Sequence, residues 1–373
     1  MRTLTALLAA VLPAALGAQA PTDSLRRFIS VDSPVVAITN VTVIDGTGAA
    51  ARSGQTVVIR DGRIAAVGPQ VPVPATALVI DGRGKTLIPG MVGMHDHLFY
   101  TAAGGRDVNI AFTGPRLYLA SGVTTIRTTG SNSPYLDINT KHEIDAGYRV
   151  GPHIVVTAPY ITGAGQTGSA DMAVVTTPEA ARRFVDYWAS EGATWIKAYT
   201  DISREALGAT IEEAHRRGMK VTGHLCSVSF QEAVELGIDN LEHGMLTASD
   251  FYPGKQPDLC PLDSYQVIAK DGDPTGAAAQ ATIRTLVEHH VPMTSTLPVF
   301  EALSSHRSVR DQRSLDMMAP EVRTAYLKNR DYIDTSSTWP FTAEVLQHAM
   351  EFERAFVTAG GLLGAGVDPT GNG

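Results

Sequence analysis

From Pro89 onward the chain alternates short apolar runs with stretches of helical periodicity, and no other feature limits the accessible folds as tightly. Strands are expected at 91–97, 123–128, 154–160, 194–199, 220–226, 240–243, 292–297 and 362–367, with helices between them. Thr177 followed by Pro178 marks a helix over 178–191, because a hydroxyl cap and a proline at the first helical position both suit an N-terminus. A second helix runs over 204–217 behind Ser203 and stops at Gly218. A third runs over 343–358 behind Thr342 and stops at Ala359-Gly360. Eight strands alternating with helices read as an α/β chain forming a (β/α)8 barrel. Periodicity alone leaves a doubly wound open sheet standing as the alternative. Segments 245–273 and 301–340 are long for barrel loops. Both follow the C-terminal ends of strands, where barrels build their pockets.

The residues before Pro89 are of a different kind. Over 35–89 the chain reads as short strands broken by Asp-Gly turns, with Asp61-Gly62 a hairpin signal between 56–59 and 64–67. So small a β-module buries little apolar surface by itself and is expected to pack on something else. Residues 1–20 carry Arg2, an apolar run from Leu4 to Leu16, and Ala18-Gln19-Ala20. That is the pattern of a cleaved signal peptide, too short to span a bilayer. The mature protein is therefore expected to be exported, either periplasmic or secreted. The net charge of -8 comes with no basic stripe, so nucleic acid and anionic membranes are poor partners and a small-molecule substrate is expected.

His95 and His97 stand two apart in a predicted strand, so their side chains share a face, and paired imidazoles at that spacing can grip one metal ion. A lone His-x-His is weak. It gains weight because His224, His243 and Asp368 stand at the ends of other predicted strands, on the face where a barrel does its chemistry. Any one of them could be an ordinary core or rim residue; chance convergence of all five is a much steeper demand. Lys197 lies between apolar neighbours in Trp195-Ile196-Lys197-Ala198-Tyr199, where a free ammonium is costly to bury. It reads either as an ordinary lysine at an exposed strand end or as a lysine carrying CO2 as a carbamate. Desolvation favours the neutral amine that the second reading needs.

Taken in order, Val43-Ile44-Asp45-Gly46, Pro89-Gly90-Met91 with His95-Asp96-His97, the run from Gly122 to Arg127, Trp195-Ile196-Lys197, Gly223-His224, Glu242-His243-Gly244 and Gly366-Val367-Asp368 resemble the amidohydrolase superfamily. The likeness is greatest to its exported branch related to prolidases and imidazolonepropionases, and runs from about Val35 to the end. Behind the signal peptide over 1–20, the resemblance implies a partial β-sandwich module over 31–88 and a TIM-like barrel over 89–373. It also implies two divalent metal ions. His95, His97 and Asp368 would hold the first; His224, His243 and a carboxylated Lys197 that bridges the pair would hold the second. A hydroxide between the metals would attack a carbonyl, with Asp368 taking its proton and passing it to the leaving group. Such ligands suit zinc, and also tolerate manganese, cobalt or iron. The superfamily continues past the position of Gly373 with an eighth barrel helix and further sandwich strands. The resemblance thus implies a truncated chain, expected to be poorly soluble or unstable as it stands.

Hydrolysis of an amide-type C–N bond, in a dipeptide, an N-acyl amino acid or a cyclic amide, is the activity this implies. A mononuclear heterocycle deaminase is the alternative. Those enzymes usually place a glutamate three residues after the fifth-strand histidine, where Ser227 stands here. Lactone or organophosphate ester hydrolysis stays open, since one centre can attack several electrophiles. A non-catalytic barrel would be expected to have lost a ligand. Tyr199 shares a face with Lys197 and is a candidate for substrate contact, as are Tyr100 and Tyr160. Asp96 and Glu242 are expected to point away from the histidines beside them, and Arg127 to form a structural ion pair. Gly163 to Gly168 matches a dinucleotide fingerprint, but no helix begins before Pro178, so a loop over the active site is the better reading. Cys226 and Cys260 both fall near the catalytic face and are expected to form a disulfide pinning the loop after the sixth strand.

Overall fold

The computed structural model describes residues 23–102, 106–165, 171–306 and 311–369; the signal peptide expected over 1–20 lies outside them. Among the described residues no helix is long and apolar enough to cross a membrane. The first unit is one sheet of β1 (Val35–Val43), β2 (Arg52–Arg60), β3 (Arg63–Gly68), β4 (Leu78–Asp81) and β5 (Thr86–Leu87). β1 lies antiparallel to β2 and parallel to β4 and β5. Asp61 and Gly62 both take positive φ, 49° and 73°, as a two-residue turn between twisted strands requires. Burial is slight: Val35, Ala37 and Val58 form one small cluster, and Val41, Val43 and Val57 another. Ile64, Val79 and Ile88 stay exposed. All five strands belong to one sheet, in the order β3-β2-β1-β4 with β5 paired to β1.

The rest is an α/β layer structure. Its strands are β6 (Met91–Asp96), a hairpin of β7 (Phe99–Ala102) and β8 (Arg106–Asn109), β9 (Val123–Thr128), β10 (His153–Val155), β11 (Thr157–Thr162) and β12 (Ala173–Val174). Then come β13 (Trp195–Ala198), β14 (Lys220–Gly223), β15 (Asn240–Glu242), β16 (Met293–Ser295) and β17 (Leu363–Ala365). Parallel ladders run β6-β9-β10 and β12-β11-β13-β14-β15-β16-β17. The expected third strand is split at Val156: its first half pairs with β9 and its second with β13. Thr157 N–H donates to Thr128 Oγ1 (3.1 Å) and ties the two ladders together. At the other end Asp368 N–H donates to His95 O (2.9 Å), bringing the end of β17 against β6. No ladder crosses this seam among the described residues. The strand expected over 292–297 stops at Ser295, because Leu297–Leu303 is a helix with a proline in its first turn.

Three hydroxyl caps start the helices that cover the strands. Thr177 accepts from Ala180 N–H, Ser203 from Ala206 N–H and Thr342 from Val345 N–H, at 3.2–3.3 Å. Strand alternation then sorts the layers. Ile126, Ile196, Val221, Leu241 and Met293 enter the apolar layer beneath the helices. Burying each contributes about 1.5–3 kcal/mol. Their neighbours Arg127, Lys197, Thr222, Glu242 and Thr294 are equally buried on the opposite, inner face. A strand set with so polar an inner face needs a network that satisfies it.

Candidate metal centre

β6 places His95 and His97 side by side on the inner face, with ring centroids 5.3 Å apart. The turn after β17 brings Asp368 to them: Oδ1 lies 3.2 Å from His97 Nε2 and 3.6 Å from His95 Nε2. These three side chains offer donor atoms all within 4.8 Å of one another, a group able to hold a metal ion. His243 lies against His95 (centroids 4.6 Å) and against His224 (4.4 Å). Lys197 completes the floor on β13, 1 % exposed. The six predicted ligands are thus brought to one place.

What surrounds the rings orients them. His97 Nδ1 donates to Gly130 O (3.2 Å), and His243 Nδ1 meets Thr296 Oγ1 (2.9 Å). His95 Nδ1 meets Glu242 Oε2 (2.8 Å). In His95 and His97 the contact leaves the far nitrogen, Nε2, facing Asp368, the arrangement that metal-ligating histidines use, whereas His243 keeps Nδ1 3.6 Å from Asp368 Oδ2. Burial keeps two of the imidazoles neutral: it lowers His95 to about 4, with Asp368 opposing, and lowers His224 to about 3, with Lys197 adding to the effect. Burial would raise Asp368, but His95, His97 and Lys197 outweigh it and hold the carboxyl at about 2. Burial also lowers Lys197, to about 8, against the pull of Glu242 and Asp368. Its Nζ has no hydrogen-bond partner among the described residues. A buried ammonium left in this way is costly, whereas a neutral amine, or a lysine made into an oxygen ligand, is not. The residues present therefore fit a metal-holding floor.

Glu242 points inward, as alternation behind the outward Leu241 requires, and it is His243 that departs from the rule. His243 has φ +66°, a left-handed kink that breaks the alternation and leaves Glu242 and His243 both in contact with His95. Asp96 does turn away, to Val367 N–H (3.4 Å), and burial raises its carboxyl to about 6. Arg127 pairs with Glu242 (Nη2 to Oε1, 2.5 Å) over the Trp195 ring. A buried acid adjoining a ligand histidine and a buried arginine is a signal that spacing alone does not carry.

Above the floor is a cavity of about 470 Å³. Tyr160 and Tyr199 line it, with Tyr160 Oη 3.5 Å from His97 Nε2. Tyr100 does not: Phe99 and Thr101 face the cavity, and the residue between them on β7 faces the other side. Tyr265, Val299, Phe300, Leu303 and Phe341 form an apolar wall from the two long segments after β15 and β16. Cys226 and Cys260 are joined in a disulfide, Cα–Cα 5.0 Å, which ties the first of these segments to the strand end beside His224. Gly163 and Gly165 lie against the Asp201 backbone and side chain, where any Cβ would come within 2.0 Å. The remainder of that motif, 166–168, lies outside the described residues, and Asp171 and Met172 just beyond it reach the cavity.

A dihydroorotase of Mycobacterium tuberculosis is 34% identical over 97 residues, 26% of this chain and 22% of that one. An uncharacterized protein of the same organism is 28% identical over 193 residues, 50% of each. The chain spans about half the length, or less, of the curated relatives it matches. Its fold superimposes on a prolidase crystallised with N-methylphosphonate-L-proline at a TM-score of 0.60 and 20% identity, over 90% of this chain and 79% of that one. The profile of the amidohydrolase family matches residues 86–323, and the chain belongs to that family of hydrolytic enzymes.

Proposed function

We propose that this protein hydrolyses an amide-type C–N bond of a small molecule, in a dipeptide, an N-acyl amino acid or a cyclic amide, on a (β/α)8 barrel closed between β17 and β6. The observation that carries the proposal is Lys197: fully buried, without a hydrogen-bond partner among the described residues, and set beside four histidines and Asp368. Carboxylated, it would join His224 and His243 on one divalent ion while His95, His97 and Asp368 hold another, zinc being the natural choice for such ligands. When bound, the ions supply Lewis-acid polarisation of the scissile carbonyl and a lowered pKa for the attacking water. Asp368 would take the proton of the attacking water and deliver it to the leaving nitrogen, and Tyr160 and Tyr199, which line the cavity, would donate to substrate oxygens. The apolar wall from Tyr265 to Phe341 would cover the bond from bulk water. Ser227, at the place a deaminase would use for an acid, donates to Ile202 O and turns away from the cavity, which favours hydrolysis over deamination. Export is part of the same proposal, resting on the leader over 1–20 and on a disulfide suited to an oxidising compartment.

Metal analysis of the protein with and without Lys197→Ala tests the carbamate, run beside a screen of dipeptides, N-acyl amino acids, lactones and organophosphate esters. Two ions per chain, falling to one or none in the variant, is the expected result. Unchanged metal content would sink the role given to Lys197, and turnover of esters alone would sink the amide assignment.

A further inference from the structure

We infer that Glu242 is a positioning residue that decides which nitrogen of His95 carries its proton, and thereby whether His95 can serve the metal site. The metal half of this inference rests on the proposed function; the proton half does not.

Glu242 is 0 % exposed, and its two oxygens have different company. Oε1 receives three donors: Arg127 Nη2 (2.5 Å), Asn240 Nδ2 (3.0 Å) and the Thr222 hydroxyl. Oε2 faces the His95 ring, 2.8 Å from Nδ1. An ionised carboxylate only accepts, so Nδ1 must be the N–H, and the lone pair is left on Nε2. That nitrogen is the one turned toward Asp368 Oδ1. His97 reaches the same state through a backbone carbonyl, Gly130 O, which no side-chain substitution removes. His95 depends on one side chain.

Glu242→Gln keeps the size and removes the charge. The new amide must then choose an orientation. Its oxygen stays with Arg127, since a guanidinium cannot accept. Arg127 cannot swing aside, being held by Met94 O (2.8 Å) and by the Trp195 ring, 4.4 Å from Cζ to centroid. The amide NH2 therefore faces His95 Nδ1, which must become the acceptor. The ring proton moves to Nε2, where a metal ion would bind, and a protonated nitrogen has no lone pair to give.

The test uses the full chain labelled with 15N-histidine, stripped of metal, with the His95 resonances assigned by their loss in His95→Gln. Long-range 1H–15N correlation should show His95 protonated on Nδ1 in the wild type and on Nε2 in Glu242→Gln, with His97 unchanged. Zinc affinity, by competition with a chromophoric chelator, should fall at least about tenfold in the variant at unchanged circular dichroism. A merely structural role would lower the melting temperature without moving the ring proton. Wild-type His95 protonated on Nε2 would overturn the inference even if the variant failed to fold. An unmoved proton in a folded variant would do the same, and an inverted ring with unchanged zinc affinity would overturn the metal half. A wild-type protein that bound no zinc would count against the metal-dependent hydrolase reading, with the proton half still decided by the spectra.

Discussion

Replacing Gly366 with alanine puts a single methyl group into the seam between β17 and β6. A Cβ built there falls 2.4 Å from His95 N, 2.5 Å from His95 Cβ and 2.5 Å from His95 O. Gly366 is not among the residues of positive φ, so alanine accepts its backbone conformation and the cost is purely steric. Strand backbone cannot swing aside as a long side chain does, so the two strands must part. Overpacking of this kind costs about 1–3 kcal/mol. Parting also stretches the bond from Asp368 N–H to His95 O (2.9 Å), worth about 1 kcal/mol. A total of about 3 kcal/mol, set against about 2.1 cal/mol/K of unfolding entropy per residue over the chain, lowers Tm by roughly 4 °C. Metal content should fall further than stability does, because His95 and Asp368 are the residues pushed apart. Calorimetry with metal analysis checks both. A Gly366→Ala protein that melts within about 1 °C of wild type and keeps its metal would refute the seating of β17 on β6.

Three further outcomes are expected. Burial raises the Glu353 carboxyl to about 7, with a Ser295 hydrogen bond opposing. From pH 4.5 to 7 the native state keeps a proton that the unfolded chain has lost, so stability falls as pH rises through that window. Glu353→Gln should then be about 3 kcal/mol more stable than wild type at pH 8 and no different at pH 4 by denaturant titration; an equal gain at both would reject the cause. Reducing Cys226–Cys260, 34 residues apart, should remove roughly 3–4 kcal/mol of stabilisation and open 245–263 to protease, and resistance after reduction would contradict the tether. Gly130→Ala should loosen His97, because φ is +92° and a Cβ meets the Tyr160 ring at 2.4 Å. A drop in zinc affinity of about tenfold is expected, and an unchanged value would mean that Gly130 O does not orient the ring.

Much was legible in the chain because it is local. Thr177, Ser203 and Thr342 announce helix starts through their own hydroxyls. The inward parity of Lys197 follows from its place between Ile196 and Ala198 on a strand of period two. His95 and His97 share a face by the same rule. Where that rule failed, non-local contacts had set the backbone. The left-handed turn at His243 brings that ring inward beside Glu242, against His95, where alternation would have sent it to the other face. Tyr100 lies outside the cavity lining because a hairpin, which periodicity does not register, carries it, and the helix at Leu297 cut short an expected strand.

His95 shows the division most clearly. That an imidazole would share the face of His97 on β6 follows from the order of residues alone, since alternation depends on neighbours. Which of its nitrogens faces Asp368 was decided by the tertiary structure. That choice depends on Glu242, 147 residues away, and on Arg127, Asn240 and Thr222, which come from three further strands or strand positions. Donors and acceptors so distant in the chain meet only when the strands are set side by side.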